Sequence, residues 1–361
     1  MMKMYMGLLA PATASLLVML AACGGDDNGA TSTPIAAASS CATAGTSAPE
    51  GCWVQLLPPG NGGFMPYPGS GDKPQWEPGK YPMTLNPLIA FNGDLWMVSS
   101  TRLAFSSSDG VHWTEHEKYD TPGRLASSYT FFNDKLWIYG GNDYRTENFS
   151  NEIWSSPDGT TWSNVGNAEW PGRDSATFAT FHDKLWMFGG ANHRDAGLAT
   201  DSFLNDVWSS EDGLHWTQVT AAAPWSPRSY PRVEVSGDEF YLLGGENQAD
   251  VWKSSNGKDW TQLTADPPWG GGREGYATLV YDRKLWVMGG YVGKSTNGVN
   301  DIWYSQDGVQ WTRQAQHAPW TPRDPIAIVY QDRLLVYAGK YTGSKDSWNG
   351  DLWAMTATTK P

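Results

Sequence analysis

Six cationic residues return at the same point of a repeating pattern: Lys80, Arg124, Arg173, Arg228, Arg273 and Arg323. Five follow a tryptophan, in Trp76-Glu-Pro-Gly-Lys80, Trp170-Pro-Gly-Arg173, Trp225-Ser-Pro-Arg228, Trp269-Gly-Gly-Gly-Arg273 and Trp320-Thr-Pro-Arg323, and Arg124 occupies the same place without one. Guanidinium groups offer paired donors to a carboxylate, sulfate or phosphate. Gathered around one opening of an acidic chain, they could focus a small anion. They could equally pair with acids of the Asp301 or Glu152 type at neighbouring strand ends and pin the structure. Repetition favours architecture, because ligands are seldom six-fold symmetric. Residues that differ between repeats are more informative about a ligand: Asp174, Glu274, Tyr230, Arg232, Tyr276, Tyr144, Arg145, His193, Arg194, Lys340 and Tyr341.

Other chemistry is sparse. The chain has no nucleotide-binding loop and no HExxH zinc pattern. Of its six histidines, His112, His182 and His215 fall in turns, and His193 lies in a long loop. No metal or cofactor is expected. The Ser-x-Asp-Gly turns are only weakly like calcium loops, and a side chain satisfying its own turn explains them.

These residues are positioned by repeats of about 40 to 55 residues built from short strands, the signature of a solenoid or propeller. Residues 123–162, 172–216 and 272–311 show the unit most fully. An Arg precedes a short apolar strand, a polar turn, an aromatic strand such as KLWVMGG, a variable loop, an Asp-Ile-Trp-type strand and a turn leading to a closing Trp. The second strand recurs as DLWMV (94–98), KLWIYGG (135–141), KLWMFGG (184–190), EFYLLGG (239–245), KLWVMGG (284–290) and RLLVYAG (333–339). Polar turns of this size between β-rich runs favour hairpins. Four-stranded sheets of this kind bury both faces by stacking radially. Most of the 21 tryptophans are therefore read as packing.

The last repeat ends at Asp351-Leu352-Trp353-Ala354-Met355 without a fourth strand, and the orphan segment Trp53-Val54-Gln55-Leu56 supplies one. The expected fold is all-β: a six-bladed β-propeller of four-stranded antiparallel blades, closed by an N-terminal outer strand. Its longest loops, 142–150, 191–204, 291–299 and 340–350, fall on one face together with the arginines, and variable loops on a rigid scaffold commonly carry binding.

The ends and the charge restrict the setting. Residues 1–22 form an export signal, with Lys3 near the start and an apolar run from Leu16 to Leu20. Leu20-Ala21-Ala22-Cys23 resembles a bacterial lipoprotein box, which implies lipidation of Cys23 and, with Gly24 following, an outer-membrane lipoprotein. Residues 23–50 read as a disordered tether and 51–361 as the propeller. In an oxidising compartment Cys41 and Cys52 are left to pair as a disulfide. A formal charge of −13 disfavours nucleic acid and anionic membrane surfaces. A monomer is expected, attached to the envelope and facing the periplasm or the cell surface.

The repeated Arg, the Leu-Trp-x-x-Gly-Gly strand, the Asn-Asp-x-Trp strand and the closing Trp resemble the kelch-type six-bladed propellers over roughly residues 80 to 355. The Ser-x-Asp-Gly-x-x-Trp turns are also similar to a shortened sialidase Asp-box, one residue short between Ser and Trp. The kelch resemblance implies binding of a glycan or a protein through the loop face, without catalysis. The alternative it implies, through the exported sialic acid mutarotases, is anomer interconversion of an acidic sugar with Glu274 or Asp174 as acid/base group. A copper oxidase of the galactose oxidase type is disfavoured, because Cys41 and Cys52 both precede the blades.

Overall fold

The computed structural model describes residues 53–57, 88–98, 104–116, 120–121, 123–143, 148–192, 202–246, 248–270, 272–292, 298–337 and 351–356. All lie within the compact unit Ala37–Pro361. They form six four-stranded antiparallel sheets, each a blade. Blade 1 runs from Leu88–Phe91 to Thr114–Glu115, blade 2 from Ser128–Phe132 to Ser163–Asn167, and blade 3 from Thr177–Phe181 to Thr217–Thr220. Blade 4 runs from Val233–Ser236 to Thr261–Thr264, and blade 5 from Ala277–Tyr281 to Thr312–Ala315. Blade 6 takes Ile326–Tyr330, Arg333–Tyr337 and Leu352–Thr356 from the end of the chain and Trp53–Leu57 from its beginning. Among the described residues no helix is present.

The closing strand behaves as the orphan segment requires. Trp53 pairs with Met355, Val54 with Ala354 and Gln55 with Trp353. Trp53 is buried and meets Trp320 edge-on, ring centroids 4.7 Å apart. The seam leaves no open sheet edge at this point of the ring.

The core is six interblade layers rather than one centre. Each cluster of buried side chains joins two neighbours, from Ile89, Trp96, Leu136 and Trp162 between blades 1 and 2 to Leu95, Met97, Leu335 and Tyr337 between blades 6 and 1. The second-strand tryptophans Trp96, Trp137, Trp186 and Trp286 sit in these layers, so they act as wedges. Between first and second strands, the turns at Asn133-Asp134, His182-Asp183, Asp282-Arg283 and Gln331-Asp332 hold both central residues at positive φ. That backbone matches the twist of the flanking strands.

The Ser-x-Asp-Gly turns satisfy themselves. In blade 2, Ser156 Oγ accepts from Gly159 N, and Asp158 Oδ1 accepts from Thr160 N and Thr161 N. Burial works to raise the Asp158 carboxyl, but these donors outweigh it and bring it down to about 2. The indole of Trp162 then donates to Gly159 O and starts the outer strand.

Candidate functional site

The five repeated arginines stand just before the inner strands of blades 2 to 6, and they are held by carboxylates. Arg173 binds both oxygens of Asp206 at 2.6 and 2.8 Å, and Arg273 those of Asp301 at 2.6 and 3.0 Å. Arg228 makes the same fork with Asp250, and Arg323 with Asp351. Arg124 reaches Glu152 at 2.9 Å. The four forked arginines are 1% exposed, and three of them also donate to the first glycine carbonyl of the Gly-Gly pair, Gly189, Gly244 or Gly289. The third-strand indoles donate to the same acids, Trp208 to Asp206 Oδ2 and Trp303 to Asp301 Oδ2. The Asn before the acid ties the next crossing, Asn205 Nδ2 donating to Ala223 O and Trp225 O. The repeated motif is thus a clamp, and these guanidinium groups are committed to it.

The Gly-Gly pair belongs to the same clamp. A Cβ on Gly290, at φ +86°, would lie 2.4 Å from Glu274 O and 2.8 Å from Tyr276 N. Only a glycine lets the second strand pass the entry to the inner strand so closely.

What remains uncommitted lies nearer the axis. Neighbouring inner strands follow one another around a closed ring. Two residues beyond the clamp arginine, Ala126, Ser175, Tyr230 and Gly275 all adopt positive φ. Ser175 N donates to Ala126 O and Tyr230 N to Ser175 O, so blades 2, 3 and 4 are stitched together at the mouth. Tyr230, at φ 46°, is the bulky member of this set, and its side chain is 38% exposed. A left-handed backbone is costly for a large side chain and tends to occur at functional sites. Burial by the surrounding rim pushes its hydroxyl up to about 12.

Just inside, the blades diverge in chemistry. Ser128 donates to Ala176 O of blade 3, and Thr177 donates to Pro231 O of blade 4. Blade 4 carries Arg232 at this register, opposite Leu243, instead of a hydroxyl. Its guanidinium lies 5.5 Å over the Tyr276 ring, and its Nε is buried without a partner. No carboxylate among the described residues comes within ion-pair distance of it, in contrast to the five clamp arginines.

Glu234, two residues further down the strand, has the most unusual setting. Its register partner is Tyr241, the middle of the second strand. The same register holds Ile89, Thr130, Ala179, Leu279 and Ile328 in the other blades. An ionisable group therefore stands where five blades place an uncharged one. Thr278 Oγ1 of blade 5 donates to Glu234 Oε1 at 2.6 Å. Burial raises the carboxyl to about 7, against the opposing effects of the Thr278 bond and the Arg232 charge. A carboxylic acid poised near neutrality suits proton transfer.

Carboxylates rim the mouth. Asp174 accepts from Ser175 Oγ at 2.9 Å, and Ser229 Oγ donates to Glu246. Glu274 pairs in a short ladder with Tyr291, and burial together with the Glu246 charge raises its carboxyl. Tyr276 is buried, with its hydroxyl donating to Leu243 O at 2.5 Å. The structure thus brings Asp174, Tyr230, Glu274 and Tyr276 to one region spanning blades 3 to 5. Lys80, Tyr144, His193 and Tyr341 lie outside the described residues, as do Cys23, Cys41 and Cys52. Sequence reasoning passed over Glu234; aligning the inner strands on the second-strand aromatic exposes it. Among the described residues no cluster of His, Cys, Asp or Glu has the arrangement of a metal site.

No family model matches the chain, and no curated protein matches it. Among solved structures it is similar to that of YjhT, with a TM-score of 0.61 and 15% identity over 76% of this chain and 95% of the other. At that identity the likeness speaks for the fold, and what the two chains share is the propeller.

Proposed function

We propose that this protein takes a small acidic sugar into the axial mouth between blades 3 and 5 and interconverts its anomers. The observation that carries the reading is Glu234, an acid near neutral pKa at a register that is uncharged in the other five blades, beside the uncommitted Arg232. Mutarotation needs a base to take the anomeric hydroxyl proton and an acid to protonate the ring oxygen as the anomeric bond opens. Rotation of the carbonyl and reversal of both transfers close the ring on the other face, with no net change in protons. Glu234 serves either transfer at neutral pH, and Glu274, also held above its ordinary range, is the second acid available. Arg232 pairs with the sugar carboxylate.

Attachment to the envelope through Cys23 and a kelch-type ancestry complete the proposal. Anomer exchange of N-acetylneuraminic acid and of glucuronic acid, followed by NMR with and without the protein, tests it. Accelerated exchange that is lost in Glu234→Gln is expected. Absence of both acceleration and binding would sink the reading. The exposed, left-handed Tyr230 favours a second one, in which a glycan stacks at the rim and is released unchanged. Saturable binding without exchange separates the two.

A further inference from the structure

The axial site contains a second departure from the repeat, and it faces the first. Four other interblade layers hold the Glu234 register of one blade together with the Thr278 register of the next. Leu279 and Ala327 share the layer between blades 5 and 6, Ala179 and Val233 that between blades 3 and 4, and Ile328 and Leu88 that between blades 6 and 1. Ile89 and Tyr129 share the layer between blades 1 and 2. Blades 4 and 5 instead set a carboxyl against a hydroxyl at 2.6 Å. Register confirms the placement: Thr278 pairs with Val287, as Leu88, Tyr129, Phe178, Val233 and Ala327 pair with the equivalent residue of their own second strands.

Generic packing needs neither polar group, since an Ala–Val or Leu–Ala pair fills the same place elsewhere in the ring. The hydroxyl has a definite consequence for the acid. It occupies Oε1 and leaves Oε2 without a protein partner among the described residues. A carboxyl held by one oxygen is restrained in rotation, and its remaining oxygen can meet a ligand. Thr278 is β-branched, so its hydroxyl is restricted to few directions.

We propose that Thr278 is a positioning residue for Glu234, acting across the joint between blades 4 and 5 to orient the carboxyl and to set the pH at which it exchanges its proton. This rests on the reading of Glu234 as the proton-transfer group, yet its test does not. The decisive measurement is the titration of the Glu234 carboxyl by carbon-13 NMR in the purified protein without ligand. Thr278→Val keeps the shape and removes the donor, so the midpoint is expected to rise by about one pH unit. Thr278→Ser keeps the donor and is expected to stay within a few tenths of a unit of the wild type. Where anomer exchange is present, its pH profile moves with the same displacement.

A Thr278→Val midpoint equal to that of the wild type overturns the positioning role, whatever happens to exchange. If wild-type exchange is absent while the Thr278→Val midpoint rises, the functional reading fails and the Thr278 assignment stands. Should Thr278→Val not fold, Thr278→Ala gives the same midpoint comparison.

Discussion

The Arg232 guanidinium lies 5.5 Å over the ring of Tyr276, reaching from blade 4 to blade 5. Every other arginine that precedes an inner strand is tied to a carboxylate, and this one rests on an aromatic face. With carboxylates around the same mouth, Arg232 is the cation that, among the described residues, is left to attract the proposed acidic ligand.

Arg232→Gln is therefore expected to weaken binding of an acidic sugar by at least about tenfold, the scale of a charge-assisted hydrogen bond. Arg232→Lys recovers only part, because an ammonium lacks the planar fork. Calorimetric titration checks both. Equal affinities for all three proteins would remove Arg232 from the site.

The Glu234 carboxyl also links stability to pH. Its folded pKa, about 7, lies above the ordinary carboxyl value, so the folded state holds the proton more tightly than the unfolded chain. The stability this contributes is fully present below the ordinary carboxyl pKa and is lost as pH rises through 7. Glu234→Gln removes that dependence. The variant should gain on the wild type between pH 4 and pH 8, by up to about 3 kcal/mol. Urea unfolding at several pH values measures the difference, and parallel curves would contradict the assigned shift.

The clamp is structural, and its two halves should behave unequally. Asp206→Ala strands the buried Arg173 and is expected to cost about 3–5 kcal/mol. Replacing both partners with apolar residues of similar volume, as in Arg173→Met with Asp206→Leu, should restore most of that loss. Chemical denaturation of the three proteins decides it.

Closure can be tested at Trp53. Its side chain is 3% exposed and packs against Trp320 and Trp353 in the layer between blades 5 and 6. Trp53→Ala is expected to cost about 3–5 kcal/mol and to lower the thermal midpoint. Hydrogen exchange should rise first at Leu352–Thr356, the strand it covers. A variant as stable as the wild type, with that strand still protected, would show that the seam does not depend on this side chain.

Much of this was legible from the chain alone. The spacing of the Leu-Trp strands gave the number of blades, and the missing outer strand after Trp353 pointed to Trp53. Both are matters of periodicity, and period survives in a linear sequence because each strand must show the same face to the same kind of neighbour. The recurrence of Arg and of Asn-Asp-x-Trp was equally visible, and the acids of the Asp301 and Glu152 type were possible partners from the start. Whether the cations were free or paired was open, because it depends on atoms 16 to 33 residues apart coming within bonding distance.

Only the tertiary structure decided the site. Glu234 and Thr278 are 44 residues apart, and nothing local to either says that a hydroxyl of one blade meets a carboxyl of another. The proton affinity of that carboxyl is likewise set by its surroundings, since burial is a property of everything packed around it. Sequence dictated the repeated frame through local pattern and covalent order; the place where the frame is broken, a carboxyl of one blade against a hydroxyl of the next, exists only once the blades close into a ring.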